Sequence, residues 1–273
     1  VRTKEQKDRF GYLLIGSSLA VVLLLAVLGL TVLRTDRIDP KTGCPMTHKA
    51  PAAHSVVLVD ETDALSRDEL AYAKAVILNE YYWLPIGGRM TVRNIIADPD
   101  LAEDIVVCRM DDGSKALGLA SNPRMLRANF QKIAGARLDD LYTALAKAPV
   151  QRTSPIMEYV AATMDRPNFG SDVKDRRLVV ISDMAQHSDL FSQYGHDRHP
   201  RPTDDAMEQL RRDLTDVHVR IHYVPRRSLA KLQGPAHRAF WIDYFKHMHA
   251  DTALGHSLLI GEDPQRETWT DDH

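Results

Sequence analysis

From Tyr12 to Leu33 the chain reads YLLIGSSLAVVLLLAVLGLTVL, without one charged residue. As a helix rising about 1.5 Å per residue, such a run extends roughly 33 Å, enough to cross a hydrocarbon core of about 30 Å. A cleaved secretory signal has a shorter apolar core, about 7–15 residues, followed by small residues at the cut. Here the run is longer and ends in Arg34-Thr35-Asp36-Arg37 with no A-x-A pattern. A helix buried in a soluble core would carry polar punctuation. The segment therefore reads as a retained single-pass anchor in an inner or plasma membrane. Arg2, Lys4, Lys7 and Arg9 on one flank balance Arg34, Arg37, Lys41 and Lys49 on the other, so the positive-inside bias does not set the orientation. The short leading tail favours a domain outside the cytoplasm.

The remainder of a 273-residue chain suffices for one generous domain. A net charge of -2 gives no electrostatic footprint for nucleic acid. Neither G-x-x-x-x-G-K-[ST] nor G-x-G-x-x-G occurs, so nucleotide binding has no support. The two cysteines, Cys44 and Cys108, are too few for a disulfide scaffold. Two alternatives stay open for them: a bond pinning the start of the domain to a strand end, or two separate thiols.

Five segments follow: a tail at 1–11, the span at 12–33, a linker at 34–54 with Pro40, Gly43, Pro45 and Pro51, an α/β domain at 55–261 and a polar tail at 262–273. Ser55 to Asp60 is a continuous apolar run, as in a strand buried on both faces. Ser66 and Glu69 have capping-box spacing and open a helix to about Trp83. Arg89–Ala97 and Asp104–Met110 are strand candidates. Residues 122–147 read as a helix broken near Gly135. Ser154-Pro155 opens another, with serine as cap and proline at the first helical position. Arg177–Asp183 is a second buried strand. A helix at Thr203–Leu214, a strand at Val217–Val224, a helix at Pro235–His249 and a short strand at Ser257–Ile260 complete the order. Alternation of this kind predicts a doubly wound, mostly parallel sheet covered on both faces, preceded by one transmembrane helix.

Parallel strands with right-handed crossovers bring their C-terminal loops to one edge. Three such loops carry oxygen-bearing side chains: Asp60, Thr62 and Asp63 after the first strand, Thr153 and Ser154 before the middle helix, and Ser182 with Asp183 after the second buried strand. Carboxylate and hydroxyl oxygens suit a hard divalent ion such as Mg²⁺ or Mn²⁺. The set resembles the metal-ion-dependent adhesion site of von Willebrand factor A domains, which places D-x-S-x-S after its first strand, a Thr before a later helix and an Asp after the fourth strand. Asp60, Thr62, either Thr153 or Ser154, and Asp183 match that pattern, with Ser154 favoured because Ile156 and Val160 then take the family's apolar positions. Ala64 stands at the second serine position and Met184 where the family usually has Gly; Asp63 is the substitute ligand at hand. The resemblance covers residues 55–260 and implies a protein-binding module, its partner held through the ion, rather than an enzyme.

Other chemistry finds less support. A phosphotransferase of the haloacid dehalogenase type needs an acid two residues after the first strand's Asp, where Thr62 stands. His187, His196 and His199 share a loop but lack paired zinc-ligand spacing, and His247 and His249 point to different faces of a helix. No G-x-S-x-G elbow presents a nucleophile. A metal-independent scaffold subunit of a membrane assembly is the competing function.

Overall fold

The computed structural model of the chain describes residues 15–26, 37–46, 49–62, 65–115, 122–147, 151–194 and 204–254. Two compact units divide the chain, Val1–Ile38 and Asp39–His273. In the first, residues 15–26 form helix α1, where Ile15, Leu19 and the run from Val21 to Leu25 are each more than half exposed. Among the described residues no helix is long and apolar enough to cross a membrane. The rest of the predicted span, 12–14 and 27–33, lies outside the described residues, as do the tails at 1–11 and 262–273.

The second unit is built on a sheet of β1 (Ala53–Asp60), β2 (Arg89–Ile95), β3 (Ile105–Cys108), β4 (Asp175–Ser182), β5 (Val217–Tyr223) and β6 (Asp251–Leu254). Their order is β3-β2-β1-β4-β5-β6. Neighbours are parallel except β2 and β3, which run antiparallel at one edge. The helices that follow α1 are α2 (Arg67–Trp83), α3 (Pro123–Phe130), α4 (Ala136–Leu145), α5 (Ile156–Met164), α6 (Asp204–Leu210) and α7 (Pro235–His247). A π-helical turn, Gln131–Gly135, joins α3 to α4 and ends at the glycine where a break was expected.

β1 is buried along its whole length because successive side chains enter different cores. Val56 and Leu58 pack with Tyr159 and Val160 of α5 and Trp241 and Phe245 of α7. Val57 and Val59 pack on the other face with Ile77 and Tyr81 of α2 and Leu138 and Leu141 of α4. The sheet grows outward from β1 through β2 and β3, then resumes on its other side at β4. That reversal puts the topological switch point between β1 and β4, and in a doubly wound sheet the crevice lies beyond the strands' C-terminal ends at that point.

Two expectations change. The segment read as a linker at 34–54 is tied into the domain from Asp39 onward. Cys44 and Cys108 form a disulfide bond, and the Thr42 carbonyl accepts the Cys108 amide at 2.8 Å. Gly43 makes this approach possible: its φ is 72°, and a Cβ there would lie 2.8 Å from Met110 Sδ. Ser154 does not cap α5, whose preceding residue is Pro155 without a side-chain cap; the Met157 amide donates instead to Gln186 Oε1 at 3.0 Å. The last described strand, β6, comes at Asp251–Leu254, while Ser257–Ile260 lies outside the described residues.

Candidate functional site at the C-terminal rim of the sheet

The turns after β1 and β4 and the segment ahead of α5 meet on one carboxylate. Asp60 closes β1 and is 4% exposed. Its Oδ2 accepts hydrogen bonds from Ser154 Oγ at 2.9 Å and Ser182 Oγ at 2.6 Å. Its Oδ1 accepts the Thr62 amide at 3.1 Å. The Gln151 amide donates to the Thr62 carbonyl, a second tie between the first two segments. Ser154 is held in place by its backbone, which exchanges two hydrogen bonds with His187 in the turn after β4. Its hydroxyl is thereby released from helix capping and aimed at Asp60.

Asp183 follows Ser182 at the end of β4. Its Oδ1 accepts the Ala185 amide at 2.9 Å, and its Oδ2 lies 3.7 Å from Arg226 Nε. Met184 takes φ 62°, the left-handed conformation that glycine adopts most easily. The backbone here is therefore the one a glycine would give. The methionine side chain is fully buried in the α5–α7 core, and the Met184 carbonyl accepts Trp241 Nε1 at 2.8 Å, which offsets the backbone cost. Trp241 thus belongs to the core.

Of the six residues singled out as ligands, Asp60, Thr62, Ser154 and Asp183 reach this rim. Thr153 is adjacent, its Oγ1 buried with no hydrogen-bond partner. Asp63 lies outside the described residues. Among the described residues no group of three or more His, Cys, Asp or Glu is placed to hold a metal; His196 and His199 lie outside them. The donor set suits a hard ion instead, because Ser154 and Ser182 give their protons to Asp60 and keep lone pairs, and Thr153 Oγ1 is an oxygen without a partner.

Further residues contribute to this rim. Arg226, after β5, ion-pairs with Glu69 at 3.0 Å and faces Asp183, tying the start of α2 to the ends of β4 and β5. Gln233 Nε2 donates to the carbonyls of Asp183 and Val224, both at 2.9 Å. Glu61 is buried beside Asp60; one oxygen accepts Asn94 Nδ2 at 3.0 Å and the other has no hydrogen-bond partner. Burial first, and the Asp60 charge second, push its carboxyl up to about 8. For Glu61 the clue was in the sequence, two adjacent acids at the end of a buried strand.

No family model matches the chain, and no curated protein matches it. Among solved structures it is similar to the conserved hypothetical protein BatB from Bacteroides thetaiotaomicron, at 11% identity and a TM-score of 0.39, over 76% of this chain and 91% of that one. It is also similar to the SpRpn10 VWA domain, at 11% identity and 0.35, over 67% and 84%. An aerotolerance-related membrane protein from Bacteroides fragilis gives 10% identity and 0.35, over 75% and 92%. At such identities none of them carries a residue correspondence.

Proposed function

We propose that this chain is a membrane-tethered, von Willebrand factor A-like protein-binding module that takes its partner at the C-terminal rim of the sheet and makes or breaks no bond. The observation that carries this reading is the junction on Asp60: three chain-distant turns converge through Ser154, Ser182 and Thr62. They do so at the switch point where a doubly wound sheet holds ligands. Asp60, Thr62, Ser154 and Asp183, with Thr153 or Asp63 in reserve, would hold Mg²⁺ or Mn²⁺. The bound ion supplies coordination positions for a partner's carboxylate. The exposed apolar side chains of α1 support the lipid tether, and the Cys44–Cys108 bond supports a domain in an oxidising compartment, outside the cytoplasm.

A second reading has its own observation. The Arg226 guanidinium already stands beside Asp183, and a resident positive charge there would oppose a divalent ion. In that case the rim binds its partner without metal, as a scaffold subunit.

A photo-crosslinking residue at Asp189, exposed in the turn after β4, tests the shared claim in cells carrying the full chain. Protein adducts from position 189 that diminish in Asp60→Ala are expected. Adducts indifferent to Asp60→Ala would remove the rim as the binding site. Adducts that persist in chelator but still depend on Asp60 would favour the metal-free reading.

A further inference from the structure

The opposite end of the domain carries a second surface. There β1 and β2 begin, β3 ends and α2 terminates, with His54 level with Arg89, and Arg89 with Cys108. From His54 to Asp60 a strand climbs about 20 Å, so this end and the Asp60 junction are separate poles. Three short pieces of chain pack together at the lower pole. Pro45 lies against Gly87, where an added Cβ would stand 3.4 Å from its Cγ. The Gly87 amide donates to the Arg109 carbonyl at 2.8 Å, and the Arg109 guanidinium lies 4.5 Å from the centre of the Tyr82 ring.

The side chains next to these contacts are apolar and exposed: Ile86 at 68%, Met46 at 66% and Tyr82 at 47%, with Leu78 one helical turn before Tyr82. Single exposed apolar residues are ordinary on a protein surface. A cluster drawn from the segments after Cys44, after α2 and along α2 is a patch, and patches mark contacts.

We propose that this lower pole rests on the lipid surface, with Ile86, Met46 and Tyr82 entering the boundary between headgroups and acyl chains. The inference rests on the membrane-anchor reading. Only residues 34–38 separate the end of the apolar run at Leu33 from the second unit, which begins at Asp39. Fully extended, they reach no more than about 20 Å. The chain enters the domain at this pole, through Cys44 and its bond to Cys108, so a bilayer at the anchor lies within reach of the patch. A tyrosine ring among large aliphatic side chains is a composition that headgroup regions favour.

The test uses the full chain reconstituted in phosphatidylcholine–phosphatidylglycerol vesicles, with bromine on the upper part of the acyl chains or without it. Ile86→Trp and Met46→Trp place a fluorophore in the patch, and Leu190→Trp places one in the turn after β4; each is compared with the parent protein. The patch tryptophans are expected to lose most of their added emission in brominated lipid, and the Leu190→Trp signal to be unchanged. Unquenched patch tryptophans in protein that floats with the vesicles after alkaline washing would overturn lipid docking and leave the anchor intact. A blue-shifted but unquenched signal would do the same, assigning the patch to a protein cover. Failure to float would overturn the anchor, and the docking with it.

Discussion

Removing the Asp60 carboxylate should weaken the fold as well as the rim. In Asp60→Ala, two hydroxyl donors and one amide lose a charged acceptor inside a site that is 4% exposed. Hydrogen bonds to charged groups contribute about 1.5–3 kcal/mol each. Two effects reduce the sum: the Ser182 hydroxyl still accepts the Met184 amide at 2.7 Å, and Thr62 sits in a partly exposed turn where water replaces the lost acceptor. The expected net loss is about 2–4 kcal/mol. The sharper quantity is the coupling between Asp60→Ala and Ser182→Ala in a double-mutant cycle, about 1–2 kcal/mol for groups in direct contact. Thr163→Ala, whose hydroxyl bonds the Tyr159 carbonyl within α5, should add to Asp60→Ala within about 0.5 kcal/mol. Urea unfolding of the detergent-solubilised full chain, followed by circular dichroism, supplies all the terms. A Ser182 coupling no larger than the Thr163 control would refute a junction on Asp60.

Replacing both cysteines by serine should lower stability by about 4 kcal/mol, the loop-closure value for a bond across 64 residues, read as a lower urea midpoint. A second outcome concerns acid. Burial holds His54 and His222 at about 4 in the folded chain, against 6.5 when unfolded. At these two sites the unfolded chain binds more protons between those values, so their contribution to stability is full above pH 6.5 and is lost toward pH 4, while Glu61, raised to about 8, contributes in the opposite sense, fully below pH 4.5 and less toward pH 8. Each histidine contributes a slope of about 1.4 kcal/mol per pH unit in that window. His54→Gln keeps polar partners for Thr91 and Asn168 and should remove one of the two slopes in unfolding curves taken across the window. Finally, Arg226→Gln withdraws the positive charge facing Asp183 and should tighten Mn²⁺ binding several-fold by calorimetry; an unchanged affinity would mean the guanidinium does not oppose the ion.

The central strands were legible because a strand buried on both faces carries an unbroken apolar run, and Val56–Val59 and Leu178–Ile181 are such runs. The capping box at Ser66 and Glu69 was equally plain, since both of its hydrogen bonds are local. Ser154 was misread for an instructive reason. A serine before a proline has every local mark of a helix cap, yet the hydrogen bonds that divert it come from His187 and Asp60, far away in the chain. Arg226 and Gln233 escaped for the same cause: their partners are set by sheet order, which alternation of strands and helices does not specify. The cysteine pair lay between these cases, two candidates whose pairing needed the antiparallel edge strand β3 to bring Cys108 beside Cys44.

The most direct measurement is a titration of Mn²⁺ into the full chain held in lipid nanodiscs, read by electron paramagnetic resonance of the free ion. A single saturable site, abolished by Asp60→Ala and preserved in Asp189→Ala, is the predicted outcome for a cation seated among the turns after β1 and β4. Binding that survives Asp60→Ala, or none at all in the parent protein, would contradict an ion-bridged rim.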